Sequence, residues 1–152
     1  TTFATSTAVG TCRRAFYRDA ADAIIGRPFR LHGRGPEVFD CFGVLLWLYR
    51  SAGIELADPI ATREVALGEF AAEFVELPSL GGLEPLDVVH LAYGVDVAEG
   101  EFAPLRHQHV SVIESDRHAV TAIRGGRVVR EPLERVAIPG AKAYRHRSRL
   151  SS

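Results

Sequence analysis

The chain has 152 residues, enough for one domain with a real hydrophobic core, and its 47% apolar and 24% charged residues match an ordinary globular composition. A formal net charge of −1 gives no electrostatic case for a nucleic-acid partner. No apolar run approaches the roughly 20 residues that cross a bilayer, and the two cysteines, Cys12 and Cys41, have no metal-ligand spacing, so neither a membrane span nor a metal or cofactor is expected.

Taken in chain order, Thr1 to Gly10 lacks the charged start and apolar stretch of a secretory signal, which predicts synthesis without a recognisable signal peptide. Cys12, Phe16, Ala20, Ala23 and Ile24 then recur at helical spacing until Gly26-Arg27-Pro28, and that register turns Cys12 toward the core. The turn formers His32-Gly33-Arg34-Gly35-Pro36 lead to Asp40, a capping residue for a nearly all-apolar helix over 41–52 that Gly53 ends. Such a helix belongs at the centre of the fold. Leu67, Phe70, Ala71 and Phe74 predict a third, surface helix.

From Leu86 onward the period changes to two, predicting strands over 87–93, 107–115, 117–123, 127–130 and 143–147. Helices first and strands afterwards predict an α+β domain spanning 1–152, with the amino-terminal helices packed on one face of an antiparallel β-sheet. The basic run Arg145-His146-Arg147-Ser148-Arg149 reads as a short, solvated carboxyl-terminal tail (about 145–152).

Cys41 falls at the first position of the central helix, where unpaired N–H groups and the helix dipole favour a thiolate; the other reading of the same residue is a small core side chain. In His107-Gln108-His109-Val110-Ser111-Val112-Ile113, alternation puts Val110 and Val112 on one face and His107, His109 and Ser111 on the other. A small residue beside a histidine would let a helix start approach that face, and imidazole is a suitable base for a nucleophilic cysteine.

Four blocks in order resemble the NlpC-type cell-wall cysteine peptidases, a papain-like α+β group. They are 25–30 with Phe39-Asp40-Cys41-Phe42-Gly43, Leu83-Glu84-Pro85-Leu86-Asp87-Val88-Val89, His109-Val110-Ser111-Val112-Ile113, and 120–129. The segment 33–41 is most similar to the branch found in tails of bacteriophages and gene transfer agents. The resemblance implies Cys41 as nucleophile and His109 as base, with Asp40, Phe29, Gly43, Asp87 and Ser111 in supporting places. It also implies hydrolysis of peptide bonds in the peptidoglycan stem without metal or cofactor, tail-tip or baseplate hub proteins as partners, and a virion tail acting in the host periplasm or cell wall.

Three positions depart from the family pattern. Phe29 stands where a tyrosine is common, Leu86 replaces a turn glycine, and Thr121 occupies the place of the residue that orients the histidine. Only a one-residue slip would turn His118 to the histidine's face, opposite Ile113 and roughly 13 Å along the strand from His109, so Thr121 is the better candidate. His107 is a reserve base. The rival expectation is a catalytically inactive plug or hub protein of the tail tip with the same fold, and a third is an acyltransferase or amidase using the same pair.

Overall fold

The structure, a computed structural model, describes residues 18–56, 72–92, 108–123 and 125–150. For Leu91, Ala92, Gln108 and His109 it describes the backbone alone. Helix α1 covers 18–24 and α2 covers Cys41–Ser51. Strands β1 (Phe74–Glu76), β2 (Val88–Ala92), β3 (Gln108–Ile113), β4 (His118–Ala122), β5 (Val128–Pro132) and β6 (Lys142–His146) form one sheet in the order β1-β6-β2-β3-β4-β5, every neighbouring pair antiparallel.

The predicted α+β arrangement is the one observed. Val44, Leu45, Leu48 and Tyr49 of α2 are fully buried and pack with Val88, Val110, Val112, Val120, Ala122 and Val128 of the sheet. At about 1.5–3 kcal/mol for each large apolar side chain taken from water, this layer is the main stabilising contact. Val89, Ile113, Ala119 and Ala143 point the other way, where Val136, Leu77, Leu80, Leu83 and Leu133 from loops cover them. Gly53, with φ +82°, follows Ala52 at the end of α2 as the left-handed cap the sequence suggested. Among the described residues no helix is long and apolar enough to cross a membrane.

Several expectations need correction. Phe74 is not the end of a helix but the first residue of β1, because its ring is buried between Tyr49 and His146, with centroids at 5.9 and 5.3 Å. The rest of the predicted third helix, Leu67 to Ala71, and most of the first, including Cys12, lie outside the described residues. The basic carboxyl-terminal run is no frayed tail. Arg145 grips the fully buried Asp87 through two hydrogen bonds of 2.9 and 2.8 Å, Arg147 donates to the Ala72 carbonyl at 2.6 Å, and Arg149 lies 3.5 Å from Asp87. A buried carboxylate requires such partners, and the run supplies them.

Helix α2 also covers the valine face of β3 rather than the face that alternation gives Ser111, because its own apolar side chains need apolar partners. Leu86 replaces a turn glycine without changing the turn's backbone. The backbone keeps the left-handed shape that glycine would adopt, with φ +74°, and the leucine holds it because its side chain is in the core, 9% exposed, while its carbonyl accepts from Tyr49.

These magnitudes decide a test. The left-handed conformation costs a leucine about 1–2 kcal/mol, whereas emptying a buried leucine site costs about 2–5 kcal/mol. Leu86→Gly should therefore lower stability, by about 1–3 kcal/mol in urea unfolding; a stabilised variant would mean that strain outweighs packing.

Candidate active site

The segment before α2 folds back on the helix start. Phe39 donates to the Pro28 carbonyl at 3.2 Å, Arg30 to that of Phe39 at 3.1 Å, and Asp40 to that of Gly33 at 3.1 Å. The Phe39 ring is fully buried, edge-on to Trp47 at 5.5 Å. Gly43 is required by this approach: a Cβ there would overlap the Gly33 carbonyl oxygen, and one on Gly33 would come within 2.8 Å of the Phe39 nitrogen. Gly43 thus serves the site as a place where two backbones touch.

Asp40 is the N-cap of α2 and is 3% exposed. Its Oδ1 accepts from the Gly43 N–H and from Arg34 Nη1, both at 2.7 Å, and its Oδ2 accepts from the His32 N–H at 2.9 Å. His32 takes φ +66° to present that N–H. Sequence reasoning found Asp40 but missed both anchors. A cation three residues into a Gly/Pro-rich turn before a capping aspartate was the one available signal for Arg34; nothing marked the His32 backbone.

Cys41 is half-buried at the next position. Its thiol is not lowered toward the thiolate, as its helix position suggested, but pushed up to about 11. Burial is the largest cause and the Asp40 charge the second, while the N–H groups of Val110, Phe42 and Cys41 pull the other way. Water on the open side of the residue moderates the push.

The contact with Val110 locates the sulfur. Val110 follows His109, so its N–H belongs to the peptide that joins the two residues. Its carbonyl accepts from Thr121 Oγ1 at 2.7 Å. In a strand, the N–H and C=O of one residue point to the same edge. Val110 therefore offers both to the side of β4, where the β3–β4 pairing runs only through Ile113↔Ala119 and Val112↔Val120. Beyond Val112 the ladder opens, Thr121 bridges the gap with its side chain, and the Cys41 sulfur meets the opened edge.

The same register, counted onward, sets Thr121 level with Ser111 and diagonal to His109, so no slip brings His118 into play. His109 itself is level with Leu91 of β2; His107 lies outside the described residues. Thr121 and Ser111 are fully buried, and Phe29 is half-buried, bridged to Phe39. Asp87 is not part of this cluster. It stands at the other end of β2, four residues or about 13 Å from the level of His109, held by Arg145.

No protein-family model matches the sequence, and no curated protein matches it. Solved structures do. NlpC2 from Trichomonas vaginalis superposes with a TM-score of 0.60 at 17% identity over 86% of this chain and 44% of its own. An NlpC/P60 family protein from Bacillus cereus gives 0.60 at 20% identity over 88% of this chain and 40% of its own. The NlpC/p60 domain of the peptidoglycan hydrolase SagA gives 0.57 at 19% identity, over 86% of this chain and 96% of that domain. The fold is that of the NlpC/P60 proteins. The chain spans less than half the length of the first two.

The raised thiol has a measurable sign. A group pushed from about 9 to about 11 stays protonated through neutrality, so in the absence of a nearby imidazole its reactivity must follow hydroxide. In His109→Ala, alkylation of Cys41 by iodoacetamide should rise about tenfold per pH unit from pH 7 to beyond 9. A plateau below pH 9, read by peptide mass, would contradict the burial argument.

Proposed function

We propose that the chain is a cysteine peptidase that hydrolyses peptide bonds of the peptidoglycan stem, with Cys41 as nucleophile, His109 as general base and Thr121 as the group that orients the imidazole. The observation that carries this reading is the contact of the Cys41 sulfur with the peptide that follows His109, whose residue Val110 is tied in turn to Thr121. The NlpC/P60 fold, shared with the domain of a peptidoglycan hydrolase, supports the choice of substrate.

The proposed chemistry is that of a thiol paired with an imidazole. The imidazole takes the thiol proton as sulfur attacks the scissile carbonyl carbon, and backbone N–H groups at the start of α2 stabilise the oxyanion. Collapse breaks the C–N bond, and the imidazolium protonates the leaving amine. Water, deprotonated by the same imidazole, then cleaves the thioester and releases the acid and the thiol. The Thr121 hydroxyl already spends its proton on Val110, so toward an imidazole N–H it acts only as an acceptor.

We place the protein in the tail of a phage or gene transfer agent, among tail-tip or baseplate hub proteins, acting in the host periplasm or cell wall; the likeness of segment 33–41 to that branch supports this. A second reading is a catalytically inactive tail-tip plug. The neutral Thr121 and the raised thiol favour it.

Incubation with defined muropeptides, with products resolved by mass, tests the first reading. Wild type should cleave, Cys41→Ala should not, His109→Ala should lose about a hundredfold or more, and Thr121→Val should lose about tenfold for one neutral hydrogen bond. Wild-type cleavage no greater than that of Cys41→Ala would leave the plug.

The tail assignment has its own measurement. The protein should copurify with washed particles and be labelled by antibody at the distal tail end. Its presence only as free protein in lysates would remove it from the particle.

A further inference from the structure

Arg34 is not among the residues to which the resemblance assigns a role, yet its guanidinium is built into the charge balance of the nucleophile. Its Nη1 donates at 2.7 Å to Oδ1 of Asp40 and at 3.0 Å to the Gly33 carbonyl, the oxygen against which Gly43 packs. Its side chain is 25% exposed, while that of Asp40 is 4% exposed, so the pair sits at the boundary where water screens weakly. Asp40 immediately precedes Cys41.

The geometry points to Arg34 as a positioning residue for the nucleophile: by neutralising the buried Asp40 carboxylate it limits the negative charge that the Cys41 sulfur meets when it ionises. This rests on Cys41 being the nucleophile. Of the charged side chains among the described residues, Asp40 acts on the sulfur directly and Arg34 acts through it. The other groups on the pair are the His32 N–H on the far carboxylate oxygen and the N–H groups of Val110, Phe42 and Cys41 on the sulfur; His109 is one residue before Val110, whose carbonyl holds the neutral Thr121 hydroxyl.

The sign is fixed by the chain of charges. An uncompensated Asp40 disfavours the thiolate, so loss of Arg34 slows thiol chemistry at a given pH. Loss of the Asp40 charge speeds it, and without the carboxylate that holds its Nη1 at 2.7 Å the guanidinium no longer has a fixed place beside the nucleophile.

Alkylation of the full chain by iodoacetamide at pH 8, with the Cys41 peptide quantified separately from that of Cys12, reads this without requiring turnover. Arg34→Gln should slow Cys41 by about three- to tenfold, Arg34→Lys should recover most of the rate, and Asp40→Asn should accelerate it. Arg34→Gln added to Asp40→Asn should change the rate by less than about twofold.

An equal slowing in both backgrounds, or an unchanged rate in Arg34→Gln, overturns the proposal. So does a slowing shared by the lysine variant and matched by a fall in melting temperature, which would make Arg34 a holder of the loop. Failure of muropeptide cleavage by wild type would overturn the peptidase reading while these ratios remain measurable.

Discussion

A single buried carboxylate governs this molecule. Asp40 is 3% exposed and accepts hydrogen bonds from the His32 backbone, the Arg34 guanidinium and the first turn of α2. A charge removed from water is costly unless every lone pair has a partner, so these three donors are joined in one requirement. Satisfying it bends the 32–40 loop onto the helix, and that in turn demands glycine at both 33 and 43, where backbone meets backbone. The start of α2 is thereby fixed in position and direction, and with it the thiol one residue on. The same charge, however, opposes ionisation of that thiol. The element that builds the site works against its chemistry.

The second constraint is the opening between β3 and β4. Had the ladder continued past Val112↔Val120, the N–H and C=O of Val110 would be spent on β4 and no edge would face the sulfur. Thr121 prevents the alternative fault, an unsatisfied buried carbonyl, by donating its hydroxyl to Val110. Its full burial is explained by that role as much as by any part in orienting an imidazole. A histidine in its place would have to fit its larger ring where Thr121 has no exposed surface, so restoring the commoner family residue would cost packing before it contributed chemistry.

What the sequence made legible was what has a period or a short-range chemical signature. The alternation after Leu86 located five strands to within a few residues, and Asp40 followed by an unbroken apolar run located α2 and its cap. Phe74 was misread because one apolar residue at helical spacing carries no information about the Tyr49 and His146 rings that bury it. The basic run at 145–149 was misread because its partner, Asp87, lies 58 residues away for Arg145. The depressed thiol expected at the helix start failed for a related reason. Position on a helix is local, but burial and the neighbouring carboxylate are consequences of packing, and here they outweigh the N–H groups.

These points bear together on how fast such a site can turn over. With the thiol raised by burial and by the Asp40 charge, little of it stands as thiolate at neutral pH. In the proposed mechanism, proton transfer from that thiol to an imidazole is uphill. A carboxylate as third residue would stabilise the imidazolium and recover part of that difference; a threonine hydroxyl, already committed as a donor to Val110, offers one neutral acceptor and recovers little. The raised thiol and the neutral Thr121 therefore act in the same direction, toward slow hydrolysis. Slow hydrolysis suits an enzyme that meets its substrate at close range and acts few times, the setting proposed above, because local concentration then favours productive encounters.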